Sequence, residues 1–90
     1  MSHTRRDKLR LLHRVRRLRG QLGAVERAIE EERGCAAVLH ALAACRGALQ
    51  SLLAEILEEH LREHVVGAAS QRARATAARE LIGVVRTYLK

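Results

Sequence analysis

His60 and His64 stand four residues apart, so any helix carrying them puts both imidazoles on one face about one turn apart, near enough to bind one metal ion. A thiol donor, Cys35, is available only much earlier in the chain. At 1.5 Å per residue a single helix would hold it roughly 37 Å from His60. One helix cannot close that site, but two copies can. If the helix packs antiparallel against its own copy about a two-fold axis near residues 47 to 49, Cys35 of one chain falls beside the partner's His60 and His64, and symmetry makes two identical sites. Gly47 and Ala48 are small residues where the crossing must be closest. A hairpin between the first two helices, turning near residue 33, brings position 3 back to a level near 63, so His3 arrives at the same end as His60 and His64. Glu63 is expected to orient one of the rings as a hydrogen-bond acceptor. Taken singly, a histidine pair is usually solvated and a cysteine on an apolar seam is usually a small core residue. The convergence of four donors from two geometric arguments makes a metal site the better reading. Cys45 continues the apolar seam and is read as core, while His13 and His40 have no partner at ligand spacing and are read as surface residues.

The elements that must position these donors are helices. The chain has no proline and six glycines in 90 residues, which suits long helices and leaves little for a sheet. The expected class is all-α, in one domain spanning 1–90. Thr4 and Asp7 read as a capping box that opens a first helix with the seam Leu11, Val15, Leu18, Leu22, Val25 and Ile29. That helix should stop near Glu31 to Arg33, with Gly34 as a left-handed C-cap. A second helix carries Cys35, Val38, Leu42, Cys45, Leu49, Leu52 and Ile56 at alternating spacings of three and four, flanked by Leu39, Leu53, Leu57 and His60. Gly67 and Ser70 end it and restart a third helix through Ala73, Ala77, Leu81, Val84, Val85 and Leu89, finishing at Lys90.

Composition bounds the partners. A chain this short buries about 60 to 65% of its unfolded surface. With one Tyr and no Phe or Trp, Leu, Ala, Val and Ile must do nearly all the burying, which favours packing against other copies. Seventeen Lys and Arg against ten Asp and Glu give a net charge of +7, and residues 1–20 alone hold eight basic residues and one Asp. Arg10, Arg14 and Arg17 fall at i, i+4 and i+7 on one face, with Arg6, Arg16 and Lys8 beside it. Such density exceeds what solubility requires. Without aromatic residues to stack on single strands, it points to duplex DNA held through its phosphates, with sequence read partly through DNA shape. Arg46, in the middle of the second helix, could serve the dimer or the DNA. No apolar run approaches the roughly 20 residues of a membrane span, and the opening MSHTRRDK lacks a signal peptide's apolar stretch, so a cytoplasmic protein without a membrane partner is expected. Reduced thiols rather than a disulfide follow from that setting. Glu58, Glu59 and Glu63 are explained as solvated helix charges, and no general base stands beside a substrate pocket, so the chain is not read as an enzyme.

The segments SHTRRDK, RVRRLRGQ (14–21), CAAVL (35–39), RGA (46–48) and HLREHV (60–65) resemble the CsoR/RcnR family of small bacterial metal-sensing repressors, most densely over residues 2–66. The likeness is closest to the nickel- and cobalt-sensing branch, whose ligand pattern falls on His3, Cys35, His60 and His64. The resemblance implies a three-helix protomer in an antiparallel dimer, paired into a tetramer, that represses an efflux gene until metal binds. Gln50-Ser51 departs from the Asn-Gly usual in that branch, and Cys45 is additional. One thiolate with three imidazoles suits Co(II), Ni(II) or Zn(II). The copper-sensing members place a second Cys where this chain has His64. Loss of the initiator Met would add amine and backbone nitrogens at Ser2 and His3, favouring nickel or cobalt over tetrahedral zinc. Two rivals remain at this stage. A formaldehyde-sensing branch would use Cys35 and the N-terminal amine, though Ser2 and His64 argue against it, and a basic DNA-coating protein would need no ligand.

Overall fold

The computed structural model describes residues 5–89, with side chains from residue 7. Thr4, proposed as a helix cap, and His3 lie outside the described residues. Three α-helices appear in order, α1 (Arg5–Glu30), α2 (Cys35–His60) and α3 (Gln71–Tyr88), and a π-helical turn, Leu61–Val66, continues α2. Among the described residues there is no strand, and the all-α expectation holds. Helix α3 ends at Tyr88, short of the Lys90 expected from the sequence. The chain divides into two compact units, Met1–Leu52 and Leu53–Lys90.

In the first unit α1 doubles back onto the start of α2 through a tight link. Arg33 N–H donates to the Ala28 carbonyl at 3.1 Å and Glu32 N–H to the Ile29 carbonyl at 3.1 Å. This pair of bonds is a Schellman closure, which needs a left-handed residue at the position after the helix. Glu32 takes it, at φ 51°, so the expectation that Gly34 serves as the left-handed cap is corrected. Gly34, at φ 97°, instead opens α2, its carbonyl accepting from Val38 N–H at 3.3 Å. The left-handed cap falls two residues before the glycine, because the 6→1 bond fixes which residue must turn. Val25 and Ala28 are buried close to this turn.

In the second unit α3 packs on the π-helical turn. Ser70 caps α3, its Oγ accepting from Ala73 N–H at 3.1 Å. Arg74 pins the two elements together, its Nε donating to the Val65 carbonyl at 2.9 Å. Gly67 N–H donates to the Arg62 carbonyl, five residues back, at 2.9 Å. A Cβ at Gly67 would meet that carbonyl oxygen at 3.1 Å and the Glu63 oxygen at 3.2 Å, so a side chain there would press on backbone that must give by a few tenths of an ångström.

Very little apolar surface is buried inside one chain. Val25, Ala28 and Ala77 are its buried hydrophobic residues among those described, whereas the seam members Leu22, Ile29, Leu42 and Leu49 remain between 45% and 59% exposed. The repeat read as a core stripe is thus a face without its partner. A second correction concerns the membrane: Cys35–Val66 is long and apolar enough to cross a bilayer by length and composition. An arginine at a bilayer's centre costs about 2.5–3.5 kcal/mol. Arg46 therefore favours a protein partner for this face over lipid.

Candidate functional site

His60 ends α2 and His64 lies in the π-helical turn, both half-buried, with ring centroids 5.0 Å apart and planes tilted by 46°. The i, i+4 spacing thus puts the rings side by side. The Nε2 of His60 is buried and has no hydrogen-bond partner among the described residues. The Nε2 of His64 lies 3.7 Å from Glu63 Oε2, the neighbour expected to orient a ring. Imidazole nitrogen is a suitable donor for a borderline divalent ion, and a buried ring nitrogen without a partner is one that a ligand can still satisfy.

Cys35 is the first residue of α2 and exposed, so the thiol and the histidine pair occupy opposite ends of one helix. Among the described residues no three His, Cys, Asp or Glu side chains gather into a metal site within the chain. The structure places His60 beside His64. Cys45, read as core, is half-buried, and His13 and His40 are exposed. Glu59 corrects the expectation of a solvated charge, being only 6% exposed. Its place explains this: the three-and-four repeat through Leu49, Leu52 and Ile56 reaches Glu59 and Glu63 next. The seam continues in carboxylates where its leucines end, a signal that was present in the sequence.

The basic face lies in the first unit. Arg10, Arg14, Arg16 and Arg17 are all exposed. Arg10 lies 3.6 Å from Asp7. With about 100° per residue, Arg10, Arg14 and Arg17 stay within one stripe while Arg16 turns roughly 120° away from Arg10. Arg14 Nη2 donates to Ser51 Oγ on α2 at 3.0 Å. Arg14, Arg17, Leu18, Gln21, Ala48 and Ser51 line an open cleft of about 240 Å³ between the helices. Sequence reasoning named neither Ser51 nor Gln21 as functional. The hairpin register that folds position 3 back to 63 also folds 14 back beside 52, so Ser51 was within its reach.

Comparison with known proteins bears on both features. A family model described as a metal-sensitive transcriptional repressor matches residues 7–87. An uncharacterized protein in the bioA 5′ region of Serratia marcescens is 48% identical over 91 residues, and the transcriptional repressor RcnR of Citrobacter koseri is 38% identical over 90, each match covering 100% of both chains. A solved structure of the formaldehyde-responsive regulator FrmR from Salmonella enterica serovar Typhimurium, in a variant with histidine replacing a glutamate, is similar at a TM-score of 0.87 and 43% identity. That likeness covers 97% of this chain and 99% of the other.

Proposed function

This chain belongs to the metal-sensitive transcriptional repressor family, a family of regulators and not of enzymes, and from that premise we propose that it holds its operator DNA when metal-free and releases it on binding Ni(II) or Co(II). Release would allow transcription of a metal-efflux gene. The observation that carries this reading is the half-buried His60–His64 pair, with an unpartnered ring nitrogen, at the opposite end of α2 from an exposed Cys35. Donors so divided call for a second copy. The exposed leucines of α2 support an antiparallel pairing, and a Cβ at Gly47 would meet nothing within 4 Å in the chain, leaving room for a close crossing. His3 would complete the set from the N-terminal side, and pairs of dimers would form the tetramer. Arg10, Arg14 and Arg17, with Arg16 at the edge, hold duplex DNA through its phosphates. When the donors of two chains close on one ion, α2 of each chain is drawn toward its partner, and the basic faces leave the spacing that fits DNA. This setting is cytoplasmic, and Zn(II) is the weaker fit to a site of more than four donors.

The test is a titration of Co(II) into the purified protein with and without operator DNA. Linkage requires that DNA weaken metal binding by the same factor as metal weakens DNA binding. A factor of one would refute the reading. His3→Ala is expected to keep substantial metal binding while reducing that factor, because His3 adjoins the arginine face in sequence.

A second reading has its own support in the likeness to a formaldehyde-responsive regulator and in the exposed thiol of Cys35. There the N-terminal amine and the Cys35 sulfur would be joined by one methylene group from formaldehyde, with loss of one water. DNA release by formaldehyde at concentrations where Co(II) has no effect would favour it.

A further inference from the structure

Helix α3 sorts its side chains sharply around its axis. On one side Ala77 is buried and Arg74, Leu81 and Val84 are half-buried, and from that side Arg74 reaches the Val65 carbonyl of the π-helical turn. At about 100° per residue the opposite side holds Arg72, Arg79 and Arg86, seven residues apart and within about 40° of one another. All three are exposed, and none of them pairs with a carboxylate among the described residues. Arg79 Nη2 donates to Thr76 Oγ1 at 3.5 Å, a long bond to a neutral hydroxyl that leaves its charge unmatched. The carboxylate of α3, Glu80, stands about 100° round the helix from Arg79. Gly83 lies inside the arginine stripe, between Arg79 and Arg86; it is exposed, and a Cβ there would meet nothing within 4 Å. Glycine weakens a helix interior relative to alanine, and no packing within the chain demands it here. What a missing side chain offers at this place is the close approach of another molecule to the helix.

We propose that the outer face of α3 is a second surface for duplex DNA, holding phosphates through Arg72, Arg79 and Arg86, with Gly83 admitting the sugar–phosphate backbone close to the helix. The proposal rests on the DNA-binding reading and adds to it a face in the other compact unit from α1. A guanidinium is a planar fork of donors that matches a phosphate. From Arg72 to Arg86 the stripe runs about 21 Å, the length of about six base pairs. The seven-residue interval is also that between Arg10 and Arg17 on α1. A lipid surface is the other polyanion a basic helix can meet, but an interfacial helix presents apolar side chains to it. The exposed Ile82, Val85 and Leu89 lie on the flank next to the packed side, whereas the outer 120° or so, from Ala75 round to Thr87, holds no apolar side chain larger than alanine. Phosphate contacts carry no base information, so this face adds affinity and not selectivity.

The experiment measures binding of the intact protein to operator and to scrambled duplex over a range of salt, comparing two triple variants of equal charge. Arg72→Gln, Arg79→Gln and Arg86→Gln together empty the stripe with a residue of similar helix propensity. Arg27→Gln, Arg33→Gln and Arg62→Gln remove the same charge from positions on neither arginine stripe. The α3 variant is expected to lower the salt slope by about 2 to 3 and to weaken both duplexes by the same factor, roughly 10-fold or more near 0.1 M salt, with cobalt affinity and melting temperature as in the parent. The control variant should keep most of the parent's slope. Gly83→Leu, a good helix former set in open space, should melt at or above the parent's temperature yet bind duplex at least about 3-fold more weakly. A loss in the α3 variant no greater than in the control, or duplex binding by Gly83→Leu equal to the parent's, would overturn the proposal while leaving the repressor reading intact. So would arginine-dependent binding to phosphatidylserine–phosphatidylcholine vesicles with duplex binding unaltered, which would give the stripe to lipid. A parent protein that does not bind duplex DNA would instead overturn the reading on which the proposal rests.

Discussion

At His60 a buried ring nitrogen lacks a hydrogen-bond partner among the described residues, and leaving a buried polar atom unsatisfied costs about 1–3 kcal/mol. Such an atom persists where something outside the chain satisfies it, and with His64 5.0 Å away a metal ion is the economical candidate. Cys35 supplies the test, because only a thiolate gives cobalt an intense near-ultraviolet charge-transfer band. Cys35→Ala is expected to abolish that band and Cys45→Ala to leave it, since Cys45 lies mid-helix with no histidine level with it in the antiparallel pairing. His64→Ala should weaken cobalt binding by about 2 kcal/mol, as one donor lost from a site whose helices are already formed. A band that survives Cys35→Ala would remove the thiol from the site. The histidine pair was legible because i, i+4 is a local relation that a helix enforces. The burial of Glu59 was not read, because three glutamates near a helix end look solvated until the seam is carried past Ile56 onto the carboxylates.

The helices themselves followed from apolar spacing, but their joints follow from backbone chemistry that residue type signals less clearly. Glycine marks left-handed positions, so Gly34 attracted the C-cap assignment, whereas the Schellman bonds put Glu32 there at φ 51°. A residue with a Cβ in that region costs roughly 1 kcal/mol or more relative to glycine, partly offset by glycine's greater freedom when unfolded. Glu32→Gly is therefore expected to stabilise the protein by about 0.5 to 1 kcal/mol, read as a higher melting temperature at fixed protein concentration, while Gly34→Ala at φ 97° should lower it. An unchanged or lower melting temperature for Glu32→Gly would mean that the link is not strained. The π-helical turn was equally hidden: nothing in HLREHV distinguishes it from an α-helix. Its signature is tertiary, in the Arg74 bond to the Val65 carbonyl and the close approach of Gly67 to the Arg62 carbonyl. Both hold the segment that carries His64.

A single copy buries so few side chains that its leucines and its donors make the same demand, for a second chain. Leu42 and Leu49 lie exposed on α2, the helix that begins at Cys35 and ends at His60. Antiparallel pairing would bury the leucines and bring each Cys35 to the partner's histidine pair, so assembly and metal binding should be inseparable. Complementation between two defective chains tests this without relying on any one variant's stability. Neither Cys35→Ala nor His64→Ala alone is expected to form the complete cobalt–thiolate site. In a mixed dimer one site would combine both defects, while the other would pair the intact Cys35 of the His64→Ala chain with the intact His64 of the Cys35→Ala chain. Random exchange from equal amounts makes half of all dimers mixed, each with one complete site, so about a quarter of the parent's sites should reappear on mixing. Cobalt absorbance after co-refolding measures this directly, with each variant refolded alone as the baseline. If each site were built within one chain, every chain in the mixture would still carry a defect, and the absorbance would stay at the average of the two variants.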